Sequence, residues 1–239
     1  PGIDDVIIRI AKVRSKSLLL SLLHCLYEAQ DPSLCESVAQ QLQHGLDLNG
    51  TTLTPSDCLC IGYFLAHVCK MAAGEFGVNL RSCSIGDQGC KYLVSGLHKY
   101  LDTHSAVTTL LHVDMYSNAI SHHAIPYLSE LLSIGCISVL SLANNDFASK
   151  QDAVQTFSVL AKQLKNNTTL KQLWLMECGL NSQSAESLAE ALTTNKHLKR
   201  LCVGENALCD DGIQHLAHAL RVSQGLQELY LESCGMTDV

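Results

Sequence analysis

Hydrophobic positions recur along the chain in the pattern L-x-x-L-x-L-x-x-[N/C]-x-L, in which x marks positions of variable polarity. Residues 170–180 read LKQLWLMECGL and match the pattern at every defined position. Side chains alternate along a strand, so Leu173 and Leu175 are predicted to face a core, as is Leu180, while Trp174 and Met176 face away. The further clean copies lie at 110–120, 137–147, 198–208 and 226–236, with weaker copies at 46–53 and 78–85.

The spacing of these copies predicts the architecture. The sixth template position falls at residues 48, 80, 115, 142, 175, 203 and 231, so one unit spans between 27 and 35 residues. That length holds a short strand and a helix. Because a helix is about 10 Å wide and neighbouring strands lie about 4.8 Å apart, the stack should bend with its strands inside. We therefore predict an α/β fold: a right-handed solenoid, or horseshoe, with a concave parallel sheet and outer helices.

Residues 1–43 lack the template, whereas residues 44–239 hold about seven repeats, the last of them truncated. The first segment is predicted to be helical, to be the end of an upstream helical module and to cap the array. The last copy stops directly after its strand, so we expect the polypeptide to continue beyond Val239.

Helix signals follow the strands. Thr54-Pro55-Ser56-Asp57 supplies an N-cap, a proline in the first turn and an acidic residue at N3, which predicts a helix start. That helix is expected to reach about Ala73 and to be broken by Gly74 and Gly77. The other predicted helices cover 17–29, about 32–45, about 90–101, a stretch that begins shortly before Pro126, 150–165, 182–194 and 210–222.

Charge and cysteine content narrow the function classes. The chain has 23 acidic residues against 16 Lys and Arg, a net charge of −7, which argues against nucleic acid as a partner. No apolar run is long enough to cross a bilayer, so no membrane partner is expected.

Position nine of the template carries Cys or Asn. These side chains form a structural ladder and should make hydrogen bonds to the turn after each strand. The ladder comprises Cys83, Asn118, Asn145, Cys178, Asn206 and Cys234. Such a role requires free thiols, which among the 12 cysteines favours a reducing, cytoplasmic compartment.

These residues resemble a known family. The period near 28, the Cys and Asn at position nine, and the tags TTNKHLKRL and VSQGLQEL resemble ribonuclease-inhibitor-type leucine-rich repeats. LLHCLYEAQDPSLCESVAQQL followed by LDLNGTTLTPSDCLCIGYFLAHV is similar to the junction before the repeats of a NOD-like receptor, a NACHT-domain protein with leucine-rich repeats. The resemblance implies innate immune sensing of a ligand or partner, with a possible autoinhibitory contact to an upstream NACHT module. The chain contains no G-x-x-x-x-G-K-[ST], so no nucleotide site is carried over.

The concave face should carry template positions five, seven and eight. We predict a partner-binding patch centred on Trp174, the only tryptophan, because outward-facing aromatic residues dominate protein contacts. An acidic stripe of glutamates from neighbouring repeats, Glu228 among them, would suit a basic partner, although a solvated acidic face is the simpler interpretation. The predicted partner-binding residues are Tyr116, Trp174, Met176, Glu177, Glu205, Tyr230 and Glu232. Alternatively, Trp174 packs on its concave neighbours and binds nothing.

Catalytic and metal chemistry are not indicated. Cys58 and Cys60 with His67 and Cys69 resemble a zinc cluster in spacing, but residues 58 and 67 lie about 13 Å apart along one helix. We predict no catalytic residue, no metal and no cofactor, hence no enzyme. Two alternatives to the receptor remain: a free-standing ribonuclease-inhibitor-like protein that inhibits or scaffolds a partner, and a regulator of small GTPases or actin.

Overall fold

The computed structural model describes residues 15–42, 45–101, 107–148 and 153–237. In this part of the chain seven strands form one sheet in the order β1 to β7, and every neighbouring pair is parallel. The strands are β1 Leu46–Asp47, β2 Gly74–Asn79, β3 Thr109–Asp114, β4 Ile137–Ser141, β5 Gln172–Trp174, β6 Arg200–Cys202 and β7 Glu228–Tyr230. The helices are α1 Lys16–Ala29, α2 Pro32–Gln41, α3 Pro55–Val68, α4 Gly86–Tyr100, α5 Ile125–Ile134, α6 Ala153–Asn166, α7 Ser182–Thr194 and α8 Cys209–Val222, with a 3₁₀ turn at His122–Ala124 before α5.

The predicted α/β repeat architecture is confirmed by this alternation of parallel strands and helices. Leu173 pairs in register with Leu140 on one side and with Leu201 on the other, so equivalent leucines stack from repeat to repeat. These side chains are at most 1% exposed and pack in one continuous core with the helices. The alternate residues of each strand lie on the opposite side of the sheet, which we call the open face.

Two glycines allow the outer helices α3 and α4 to pack closely. A Cβ atom on Gly62 would lie 2.2 Å from the backbone oxygen of Leu93, and one on Gly96 would lie 2.6 Å from that of Leu59. Real Cβ atoms do not approach backbone oxygens so closely, so these helices can touch only because both side chains are hydrogen. The outer helices of these two N-terminal repeats are therefore packed backbone against backbone.

Helices α1 and α2 lie at the start of the stack. Leu22, Leu23 and Leu26 of α1 are buried in the same core as the repeats. The α2 helix begins where the Asp31-Pro32 pair predicted it, because the Asp31 side chain accepts the backbone N–H of Ser33. It ends at Gln41 rather than near residue 45.

The helix that begins at Thr54 follows the prediction at its start but not at its end. A complete capping box joins Thr54 and Asp57, as the sequence indicated. However, α3 ends at Val68, and Gly74 belongs to strand β2 instead of ending a helix. Gly74 and Gly77 are therefore strand residues, and the extended conformation of this segment is set by pairing with β3.

Within the described ranges, none of the helices combines the length and apolar character needed to cross a bilayer.

Candidate functional site

Template position nine lies inside the turn that follows each strand, where the side chain meets the preceding repeat. Asn118 Nδ2 donates to the backbone carbonyl of Leu80 at 2.7 Å, and its Oδ1 accepts the backbone N–H of Cys83 at 2.9 Å. Where cysteine replaces asparagine, only the donated bond is kept: the Cys178 thiol donates to the carbonyl of Leu142 at 3.2 Å. Buried side chains occupy all six of these positions, at Cys83, Asn118, Asn145, Cys178, Asn206 and Cys234.

Before β5, β6 and β7, a second set of side chains, which the sequence analysis missed, accepts hydrogen bonds from the backbone N–H groups that lead into the strand. Asn167 and Asn195 each lie three residues before the first template leucine. The Asn195 Oδ1 accepts the backbone N–H of Leu198 at 2.8 Å, and the Ser223 hydroxyl accepts that of Leu226 at 3.0 Å. The signal lay in the tags TTNKHL and VSQGL, whose Asn and Ser are these capping residues.

On the open face, the N-terminal repeats pair a cation with an aromatic ring and a carboxylate. The Arg81 guanidinium carbon lies 4.2 Å from the centre of the Tyr116 ring. Its Nη1 donates to Asp114 Oδ2 at 3.1 Å. Asn144 Nδ2 in turn donates to the Tyr116 hydroxyl at 3.3 Å. Tyr116 is therefore held by its own neighbours.

In the C-terminal repeats two predicted patch residues meet directly. Trp174 on β5 and Tyr230 on β7 are in register with Cys202 on the strand between them. Their rings stack with centroids 6.0 Å apart and planes inclined by 21°. Cys202 is only 3% exposed, whereas Tyr230 is 36% exposed. Trp174 therefore packs on an open-face neighbour, and the Tyr230 side of the stacked pair remains exposed to solvent.

A charged network fixes the Tyr230 ring. The Tyr230 hydroxyl donates to Glu228 Oε2 at 2.7 Å, and Arg200 Nε donates to the same oxygen at 2.8 Å. The hydrogen bonds from Tyr230 and then from Arg200 hold the pKa of Glu228 below its ordinary value. The hydrogen bond to Glu228 raises the pKa of Tyr230. Both groups therefore keep their ordinary charge states at neutral pH.

The four glutamates of the predicted acidic stripe differ in their surroundings. Glu228 is engaged by Arg200, whereas Glu177, Glu205 and Glu232 are exposed around the stacked rings. Glu177 and Glu205 lie in left-handed turn conformations at template position eight, with φ of 49° and 56°. Met176, at position seven, is half-buried beside Trp174.

Cysteine and histidine side chains meet near the start of α3, in an arrangement that the sequence analysis did not anticipate. His24 Nε2 lies 2.7 Å from Asp57 Oδ1, and His24 Nδ1 lies 3.4 Å from Cys60 Sγ. The order Cys–His–Asp resembles a nucleophile with its base, but Cys60 is 2% exposed and burial raises its pKa to about 11. A buried protonated thiol is a poor nucleophile, so the cluster serves to join α1 to α3.

Cys58, Cys60, His67 and Cys69, whose spacing resembles a zinc cluster, lie along α3 and directly after its end. In the described part of the chain, no group of three or more His, Cys, Asp or Glu side chains is arranged to hold a metal ion. All 12 cysteines are free thiols.

A sequence-family match agrees with the repeat geometry. The sequence model of the Leucine Rich repeat family matches residues 78–94. The fold is a leucine-rich-repeat solenoid. Over 76 residues, 32% of the chain, the sequence is 38% identical to the human MHC class II transactivator, of which the match spans 6%. Among solved structures, the leiomodin-1 actin-binding site 2 is similar with a TM-score of 0.44 and 18% identity, over 53% of this chain and 70% of that one.

Proposed function

We propose that this chain is the partner-sensing repeat region of an intracellular, cytoplasmic NOD-like receptor, which binds a protein through the open face of its sheet. Two observations support the proposal. The helical segment at Lys16–Gln41, whose sequence resembles the junction before the repeats of such a receptor, packs in the same core as the first repeat. The Trp174–Tyr230 stack, the observation that carries the binding role, presents aromatic surface among exposed carboxylates on a rigid sheet.

The physical basis is the character of this surface. The predicted curvature would make the open face concave and bring side chains of successive strands towards one partner. Aromatic residues contribute large contact area at small entropic cost, because their side chains have few rotatable bonds. No side chain is assigned a catalytic role, and the face acts by binding alone.

The binding experiment compares capture of partners by open-face and helix-face variants. Trp174→Ala with Tyr230→Ala should reduce cross-linked capture of a specific protein from a cytoplasmic extract by about tenfold or more. Tyr92→Ala is the matched control, because Tyr92 is 39% exposed on α4, on the helix side. Unchanged capture by a folded double variant would rule out the open-face site.

A free-standing, ribonuclease-inhibitor-like protein would use the same face to inhibit or scaffold its partner. The reading frame upstream of Pro1 distinguishes the two: a receptor encodes a phosphate-binding loop and helical modules there. If such a module exists, its binding in trans to the purified repeats tests the autoinhibitory contact.

A further inference from the structure

His67, near the end of α3, is the one buried histidine among those that the structure describes. It is 9% exposed, and its Nε2 atom is buried without a hydrogen-bond partner in the described part of the chain. The more exposed His24, His98 and His112 each lie against a carboxylate, whereas His67 has no ion pair within the described ranges. Such a site favours the neutral imidazole, because a buried charge without a partner is costly.

His67 belongs to an aromatic cluster that joins the N-terminal helices to the repeats. Its ring contacts Tyr63, one turn earlier on α3, in an edge-to-face arrangement with centroids 4.7 Å apart. The Tyr63 ring packs in the same manner against Tyr27 of α1, with centroids 5.5 Å apart, and against Tyr100 of α4, with centroids 4.7 Å apart. The Tyr63 hydroxyl is also buried without a partner. Helices α1, α3 and α4 therefore meet at Tyr63, directly beside His67.

The charged groups that act on His67 come from two sides. Lys70, which follows α3, disfavours a second positive charge there, whereas Glu36 of α2 favours one. Lys70 Nζ donates to the backbone carbonyl of Tyr100 at 2.8 Å, and this bond holds the cation near the cluster. Burial and then Lys70 outweigh Glu36 and hold the pKa of His67 below its ordinary value of 6.5.

The other titratable groups of the cluster do not change charge in mild acid. The thiol of Cys35 on α2 is fully buried, and burial raises its pKa to about 11. Burial also raises the pKa of Tyr63. The remaining phenols, Tyr27 and Tyr100, have an ordinary pKa of about 10. Among these side chains only the imidazole of His67 ordinarily titrates between about pH 5 and 8.

We propose that protonation of His67 loosens the packing of the N-terminal helices α1 and α2 on the repeat array, so that this joint is sensitive to mild acid. A protonated imidazole carries an N–H on both ring nitrogens, and the buried Nε2 has no acceptor. The ring gains solvent or a carboxylate only when the packing around Tyr63 opens. An opened joint binds the proton with the ordinary pKa of 6.5. The stabilisation by neutral His67 is therefore complete above this pH and declines as the pH falls through it towards the lower pKa of the closed joint.

Hydrogen exchange on the whole 239-residue chain tests the proposal. The protection of α2 amides, corrected for intrinsic exchange, is compared at about pH 7.5 and about pH 5.5 with that of α7, which lies farther along the array. The α2 amides should lose about fivefold in protection relative to α7 at the lower pH. In the same protein, the ring protons of His67 should titrate in an NMR experiment with a midpoint below 6.5.

Variants assign the effect to His67. His67→Gln keeps a polar side chain that is not protonated in this range, and it should abolish the relative loss of α2 protection. His215→Gln is the matched control, because His215 is exposed on α8, and it should leave the loss unchanged. Equal losses in α2 and α7 of the wild type, or a relative loss that persists in His67→Gln, would overturn the proposal.

The wild-type titration keeps the test decisive if His67→Gln does not fold. A His67 midpoint at or above 6.5 would reject the proposal on its own, because neutral His67 would then add no stability to the closed joint. None of these measurements involves a partner on the open face, so the acid-sensitive joint and the proposed binding function can fail separately.

Discussion

Asn195 Nδ2 donates to the backbone carbonyl of Asn167 at 3.0 Å, so equivalent asparagines of neighbouring repeats are joined directly. Each of these residues also accepts backbone N–H groups of the loop that enters its own strand. The bond fixes the start of β6 relative to the start of β5. It therefore helps to hold the register between two of the strands that carry the candidate binding face.

The adjacent asparagines 166 and 167 form a matched pair for testing this role. Asn167 is 8% exposed, donates to the carbonyl of Leu132 at 2.8 Å and accepts the N–H of Leu170 at 2.7 Å. Asn167→Ala should lower the free energy of unfolding by about 2–4 kcal/mol, because buried backbone groups lose their partners. Asn166 is exposed at the end of α6, and Asn166→Ala should change stability by less than about 0.5 kcal/mol. Urea denaturation followed by circular dichroism measures both, and similar losses would contradict the bonding role.

At template position nine, asparagine should contribute more to the stability of the fold than cysteine does. The Asn206 amide donates to three carbonyls, among them Leu175 at 2.8 Å, and accepts two N–H groups, among them Cys178 at 2.9 Å. The Cys178 thiol donates only to carbonyls, with weaker bonds. We expect Asn206→Ala to cost about 3 kcal/mol and Cys178→Ala about 1–2 kcal/mol, the latter mainly from lost packing. Equal costs in the same denaturation assay would show that the hydrogen bonds do not set the difference.

The repeat could be predicted from the sequence because its leucines stack in register, as Leu140, Leu173 and Leu201 do. The Thr54–Asp57 capping box likewise marked a helix start, since its bonds are local. The contact between Trp174 and Tyr230 could not be predicted in this way. It joins residues two strands apart, and it depends on a small residue, Cys202, between two long side chains.

The end of α3 shows a second limit of local reasoning. Gly74 is a poor helix former, and the sequence therefore placed a helix end there, but strand pairing with Thr109 determines its conformation. Such long-range pairing is invisible in a local pattern. The same holds for the His24–Asp57 contact, which joins residues 33 positions apart.

Thiol reactivity should divide the cysteines into two groups. Cys25 and Cys209 are exposed and the other ten of the 12 are buried. Burial raises the pKa of Cys58 and of Cys178 to about 12, so their reactive thiolate form is scarce at neutral pH. A colorimetric thiol reagent should label two thiols rapidly in the folded protein and all 12 after denaturation.

The double variant Cys25→Ser with Cys209→Ser is the control for that count. It should show almost no rapid labelling while keeping the same unfolding midpoint, because both residues lie at the surface. Rapid labelling of more than two thiols in the folded wild type would contradict the burial of the other ten cysteines.

The contact between α1 and α3 should depend on acid. Burial raises the pKa of Asp57, but the hydrogen bonds from Thr54 and His24 outweigh it and hold that pKa below the ordinary value of 3.8. A carboxyl with a depressed pKa stabilises the fold above its unfolded-state pKa, and this contribution is lost as the pH falls through the folded-state pKa. Asp57→Asn should therefore lower the free energy of unfolding by about 1 kcal/mol at neutral pH, because the helix cap is lost, and by less in acid.

Urea unfolding at several pH values between about 7 and about 2.5 measures the difference. The control is Asp211→Asn, which changes an exposed carboxyl in the first turn of α8. The wild type and Asp57→Asn should converge towards the acid end, because a protonated Asp57 no longer offers a carboxylate to Thr54 and His24. A difference that stays constant across the whole range would show that the charge of Asp57 does not contribute to the joint between the N-terminal helices and the repeats.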